Sequence, residues 1–263
     1  MHFVPTDIIS GIFETSFLFG ALNTVRRQPY KPPVRTWDCI VSDSGRSQTD
    51  MELTAMVIGA QPIGEHDRRV VLLTREKGKI SAFARGAGRP RSPLVAAANL
   101  FAFGSFRLYA GRSSYTLVEA KVQNYFPYFR THLEASLLGQ YFCEVLDYCT
   151  RENNDEAQLL LLLYQSLRAL ESERFPLQMV RAVFELKVVV IEGELQEPNP
   201  QSYLPATMKA LHHITTSSVA RLYTFVLEDT ALEELTCLAG MEMSRAFEHH
   251  RFRSQEILTA MQL

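Results

Sequence analysis

The sequence predicts an α+β chain in which a small five-stranded β-barrel is followed by an all-helical domain. Three observations predict it. Residues 53–124 hold five short runs rich in β-branched, Leu and aromatic residues, separated by Gly- and Pro-bearing turns. From residue 132 onward, apolar residues recur at three- and four-residue spacing. Charge divides at nearly the same place. Met51 to Arg130 carries 12 Lys and Arg against 5 Asp and Glu, a net of +7, and Thr131 to Leu263 carries 10 against 19, a net of −9. The first 50 residues balance at 5 and 5, leaving −2 overall.

Residues 1–50 stand apart. Pro29, Pro32 and Pro33 lie close together and precede a Ser/Asp/Gly-rich stretch. Proline fixes φ and lacks a donor, so this is linker chemistry, and the segment is expected to be a poorly structured N-terminal extension with Met51 as the natural start. In the 51–130 domain the first strand is expected over Leu53–Ala60 and the second over Val70–Thr74. The Glu76–Lys79 turn follows, with Gly78 supplying a cheap positive φ. Ile80–Ala84 is the third strand. Gly86–Pro93 is too punctuated by Gly and Pro to be regular. Phe101–Tyr109 and Tyr115–Val122 complete a barrel of the OB-fold type. In the 131–263 domain, Leu137, Tyr141, Val145 and Cys149 mark one helix and Leu159–Leu170 the next. Pro176 opens a third, which Gly193 stops. Further helices are expected over Thr216–Leu227, Ala231–His250 and Ser254–Met261, with a break around Glu197–Pro200.

Several function classes fall away. Ile8–Leu22 is apolar, but Glu14 interrupts it and no basic stretch precedes it, so it does not read as a signal peptide. No apolar run is long enough for a membrane span. Cys39, Cys143, Cys149 and Cys237 form no CxxC pair, which fits a reduced, cytoplasmic chain without disulfides or zinc. The adjacent pairs His212–His213 and His249–His250 point about 100° apart on a helix and do not chelate one ion. Gly86-Ala87-Gly88 lacks the third glycine and the βαβ context of a dinucleotide loop. Ser92, Ser113 and Ser114 show no accompanying His and carboxylate pattern, so no catalytic residue and no cofactor is expected.

The stretch Lys77–Arg91 (KGKISAFARGAGRPR) carries the chemistry. Arg75, Lys77, Lys79, Arg85, Arg89 and Arg91 lie on or beside a strand and a glycine-rich loop, where backbone and guanidinium groups reach phosphate oxygens. Arg68, Arg69, Arg107 and Arg112 extend the basic surface. Most nearby rings, Phe83, Phe101, Phe103 and Phe106 among them, must fill the core of an alternating barrel. Tyr109 and Tyr115, beside the Gly-Arg turn, are the expected base-stacking residues. A generic OB-fold protein that binds RNA or assists translation has the same basic block. An enzyme with a helical lid would need titratable groups converging in one pocket.

At these residues the sequence resembles the RecO family of recombination mediators. The order GEHD, LLT, GKIS and ARGAGRPRS, then FRLYAGRSSYTLVEA, matches the family's amino-terminal OB domain, and RAVFELKVVVIEGELQEP (Arg181–Pro198) is similar to its helical part. The resemblance covers about 51–263 and is strongest over 57–119. It implies a protein that is not an enzyme. It implies binding to ssDNA and dsDNA, annealing of complementary strands, and, with RecR, loading of RecA onto strands coated by the single-strand-binding protein SSB. SSB's acidic tail would then dock on the helical half, with Arg130, Arg151, Arg168, Arg174 and Arg181 as candidate cations. The family often carries a four-cysteine zinc site after the last matching helix. Here ELQEPNPQSYLPAT has no cysteine, so this loop is expected to be held by packing alone.

Overall fold

The computed structural model describes residues 2–3, 49–248 and 250–260; the expectations for the rest of 1–50, for His249 and for Met261 lie outside the described residues. Strand β1 (His2–Phe3) pairs antiparallel with β7 (Phe225–Val226). Strands β2 (Thr49–Ile63), β3 (Asp67–Thr74), β4 (Gly78–Ala84), β5 (Phe103–Ala110) and β6 (Tyr115–Asn124) close a barrel in the order β2-β3-β4-β6-β5. Only the β4–β6 pair is parallel, through Ala82 opposite Tyr115 and Phe83 opposite Thr116. This is an OB-fold, as expected.

The first strand runs from Thr49 to Ile63, well past the expected Leu53–Ala60. It is long because its first half pairs with β5 and its second half with β3. Its apolar centre shows no polar face because both faces are covered. Leu53, Ala55 and Val57 point into the barrel with Val70, Leu72, Ile80, Phe106 and Leu108. Met56 and Ile58 point outward and join Leu73, Phe101 and Phe103 in the core of the helical half. Phe101 itself has φ 67° and stands outside the strand in which it was expected. A short helix, α1 (Leu94–Ala97), which sequence reading missed, places Leu94, Ala97 and Ala98 in the barrel core.

The helical half comprises α2 (Leu133–Cys149), α3 (Ala157–Glu171), α4 (Leu177–Glu192), α5 (Pro205–Thr216), α6 (Asp229–Ala246) and α7 (Arg253–Ala260). Phe142 on α2 stacks on Phe184 on α4 at 4.0 Å. As expected, α4 follows Pro176 and ends at Gly193, which takes φ 80°. The helix expected over Thr216–Leu227 is absent. Helix α5 ends there instead, and a 3-10 turn at Val219–Arg221 and strand β7 follow. Two signals account for the correction. Pro205 at the first turn starts α5. In the run Thr215-Thr216-Ser217-Ser218, the hydroxyls of Thr215 and Thr216 both donate to the His212 carbonyl, at 2.9 and 2.7 Å, in competition with the backbone.

The two halves meet over aromatic and polar contacts. Phe103 lies 4.7 Å from Tyr164 of α3, and Phe126 lies 5.5 Å from the same ring. The β3–β4 turn presses on the loop after α2. The Lys79 amide donates to Arg151 O at 3.0 Å, the Asn153 amide donates to Lys77 O at 2.9 Å, and Lys79 Nζ pairs with Asp147 at 3.0 Å. Gly78, at φ 65°, is required here, since a Cβ would overlap the Arg151 carbonyl. A chain cut to residues 51–130 would expose Met56, Ile58, Leu73, Phe101 and Phe103 together. It is expected to bind the dye ANS and lose near-UV circular dichroism. A monomeric fragment with a cooperative melt would contradict this.

Candidate nucleic-acid interface

The barrel divides the basic stretch 75–91 between its two ends. Strand β4 spans seven residues, so Gly78 and Ala84 stand about 20 Å apart at roughly 3.3 Å per residue. At the Gly78 end most of the cations serve the fold. Arg75 pairs with Glu76 at 3.2 Å, and Lys79 pairs with Asp147 and donates to its carbonyl. Lys77 is half-buried against the helical half. The Tyr115 hydroxyl donates to Glu152 at 2.7 Å, and that hydrogen bond, with burial, raises its pKa. Tyr115 is therefore a junction residue, not the exposed ring expected. Arg112, in the β5–β6 turn, is exposed.

The Ala84 end is different. Arg85, Arg89 and Arg91 are all exposed, and none has a carboxylate partner among the described residues. Their loop is firmly built. The Gly86 amide donates to Asp67 Oδ1 at 2.7 Å and the Gly88 amide to His66 O at 2.8 Å, which ties the loop to the β2–β3 turn. Gly88 lies so close to His66 that an added Cβ would sit 3.1 Å from that carbonyl oxygen. A rigid backbone presenting free guanidiniums suits bidentate contact with phosphate.

Arg68 is half-buried and serves the fold; its Nη1 donates to Asn99 Oδ1 at 2.7 Å and to Ala98 O at 3.2 Å. Arg107 bridges Asp50 at 3.2 Å and Glu119 at 2.9 Å, and its hydrogen bonds to Asp50, then Glu119, raise its pKa. Arg69 is exposed, with Nε donating to Ser81 Oγ at 2.7 Å. Tyr109 is 36% exposed. Phe83, which sequence reading left to the core, is 38% exposed. The alternation of β4 carried the signal: Ile80, Ala82 and Ala84 are buried, so Ser81, Phe83 and Arg85 face out.

Of the helical-half cations, Arg181 is half-buried, with Nε 2.9 Å from Glu185 and its guanidinium 5.4 Å from the Tyr141 ring centroid. Arg168 pairs with Glu171 at 3.5 Å, and Arg151 donates to the carbonyls of Tyr148 and Thr150. Arg130 and Arg174 are exposed without a carboxylate partner among the described residues. A 3.7 Å contact between His132 and Glu173 draws their two segments together beside Leu133, which is 67% exposed.

Cys143 and Cys149 are poor nucleophiles. Burial pushes both thiols up, that of Cys149 to about 12 with help from the nearby carboxylates of Glu192 and Glu156. Among the described residues no three His, Cys, Asp or Glu side chains gather as a metal site, and no helix is long and apolar enough to cross a membrane. The cysteine-free loop after α4 is held by more than packing, contrary to expectation. Glu242 of α6 accepts from the Gln196 amide at 3.3 Å and pairs with Arg245, which donates to Gln196 Oε1 at 2.7 Å. Glu234 accepts from the Leu204 amide at 2.9 Å and the Thr207 hydroxyl at 2.7 Å. Elemental analysis is expected to find no stoichiometric zinc, and a chelator to leave the melting temperature unchanged. One zinc per chain would contradict this.

Two family models match this chain: "Recombination protein O N terminal" over residues 49–126 and "Recombination protein O C terminal" over residues 130–194. Together they span more than half of its 263 residues. Relatives named DNA repair protein RecO are similar to it. The one from Acetivibrio thermocellus is 35% identical over 144 residues, 54% of this chain and 57% of the relative. The one from Symbiobacterium thermophilum is 38% identical over 139 residues, 52% of this chain and 54% of the relative. The one from Clostridium kluyveri is 26% identical over 212 residues, 69% of this chain and 82% of the relative. The match to the first two thus spans about half the length of each.

Proposed function

The chain belongs to the RecO family, and from that premise we propose that it acts in DNA repair and recombination as a mediator that performs no covalent chemistry. In this reading it binds ssDNA and dsDNA, anneals complementary strands and, with RecR, helps load RecA onto SSB-coated ssDNA, in the cytoplasm beside the nucleoid. The observation that carries the reading is the trio Arg85, Arg89 and Arg91, exposed and unpaired on a loop whose backbone is fixed by Asp67 and His66. Annealing requires holding a backbone without reading bases, and free guanidiniums on a stiff loop supply that hold. Arg69 extends the same basic surface, Arg112 adds a cation toward the barrel's other end, and Tyr109 offers a ring to unpaired bases. Arg68, Lys79, Arg107 and Tyr115 support the site through the fold instead.

The helical half suits a protein partner. The SSB tail, acidic and ending in an apolar residue, is proposed to dock at Arg130 and Arg174, with Leu133 giving apolar contact. The deciding experiment measures binding of single and duplex DNA across a salt series and, on the same samples, annealing of SSB-coated complementary strands. Binding that weakens with salt, together with accelerated annealing, is expected. Binding without annealing would favour a plain OB-fold RNA or DNA binder and reject the mediator reading.

A further inference from the structure

The outward face of the barrel carries a row of residues that no part of the charge argument uses. Residues paired across neighbouring strands point to the same side of a sheet. Arg69 pairs with Phe83, Phe83 with Thr116, and Thr116 with Tyr109. These four form one band across β3, β4, β6 and β5. Phe83 and Tyr109 are 38% and 36% exposed, and Thr116 is half-buried between them. At about 4.8 Å per strand, the two rings stand roughly 10 Å apart with one small side chain between them. On such a barrel, where alternate residues fill the interior, an outward phenylalanine gains nothing for the core.

The charges beside the rings are uneven. Arg69 is pinned by Ser81 through Nε, which leaves its two terminal nitrogens to donate outward. Arg85 lies two residues beyond Phe83, in the turn just past the end of β4, and is exposed. At the Tyr109 edge Arg107 is shared between two carboxylates, and only Arg112 in the adjoining turn stands exposed without a carboxylate partner among the described residues. A polyanionic backbone is therefore attracted along the Arg69–Arg85 edge, and groups branching from it toward Tyr109 cross the two rings.

We propose that Phe83 and Tyr109 form a two-ring stacking site for unpaired bases of single-stranded DNA, with Arg69 and Arg85 holding the adjoining phosphates. This rests on the nucleic-acid reading above and adds a preference to it. In a duplex the base faces are covered by their neighbours, so the rings act on single strands only. Stacking on an aromatic ring tolerates any base, as annealing requires.

The test compares the full chain with the double variant Phe83→Leu/Tyr109→Leu, using a dT oligonucleotide longer than an OB-fold footprint of about 16 nucleotides and a blunt duplex. Loss of about tenfold per ring on the oligonucleotide is expected, with less than about twofold on the duplex and an unchanged salt slope. Unchanged affinity for the oligonucleotide, or an equal loss on the duplex, would overturn the proposal. Should the double variant fail to fold, Phe83→Trp replaces it: its emission, over that of the parent chain, should be quenched at saturation with the oligonucleotide and not with the duplex. An unquenched signal would overturn the proposal equally. If the parent chain binds neither DNA, the nucleic-acid reading itself fails. If it binds both and the variants behave as the parent, only the stacking site fails.

Discussion

Replacing Arg85, Arg89 and Arg91 together with alanine is expected to lower DNA affinity on the order of a thousandfold at 0.1 M salt. Each phosphate neutralised by a cation adds about 0.9 to the slope of log affinity against log salt, which at 0.1 M is worth roughly tenfold. The triple variant should lose about 2.7 units of slope on duplex and about 2.1 on single strands, for all sequences. Stability should hold, because the three side chains are exposed and the loop backbone is fixed by Asp67 and His66. Lys79→Ala is the informative control. Lys79 belongs to the same basic stretch, yet its Nζ is held 3.0 Å from Asp147. Its slope should stay unchanged, with its cost appearing in stability at the junction of the two halves. A triple variant with the parent's slope would remove the loop from the binding site.

Glu185→Ala is expected to destabilise the chain by about 3–5 kcal/mol. The Glu185 side chain is 2% exposed and accepts from both the Tyr141 hydroxyl at 2.7 Å and Arg181 Nε at 2.9 Å. Removing the carboxylate takes an ion-pair partner from the half-buried Arg181 and leaves a buried hydroxyl whose pKa burial already raises well above its usual value. For a chain of this size the melting temperature should fall by roughly 10 °C. The triple replacement Tyr141→Phe/Arg181→Met/Glu185→Leu, which removes all three members of this cluster together, should cost much less. Urea unfolding measures both. A single variant within about 1 kcal/mol of the parent would contradict the network's role.

The residues that sequence reading placed well are those whose cause is local. Gly193 ends α4 because a left-handed residue is needed there, and the alternation of Ile80, Ala82 and Ala84 fixes which side of β4 is core. Misplaced features depend on partners distant in sequence. Strand β2 looked short because its ends pair with different strands, and nothing local shows that Met56 and Ile58 have a second core to enter. The basic stretch read as one site because the sequence gives no sign that Asp147, Arg151 and Glu152 will meet its first half. Arg181 read as a surface cation although Glu185 stands one helical turn away, a spacing that could have suggested the pair. Phe83 was legible: the same alternation that buries its neighbours turns it outward, and only the habit of assigning phenylalanine to cores hid it.

The most direct test of the central claim, that nucleic acid lies along the outer barrel face from the 85–91 loop toward Tyr109, is photocross-linking of the full chain to 5-iodouracil-substituted single-stranded DNA, read by mass spectrometry of the linked peptides. Cross-links concentrated in peptides covering residues 80–91 and 105–118 are predicted. Cross-links concentrated in α3, α4 or α5, with none on the barrel, would contradict the account.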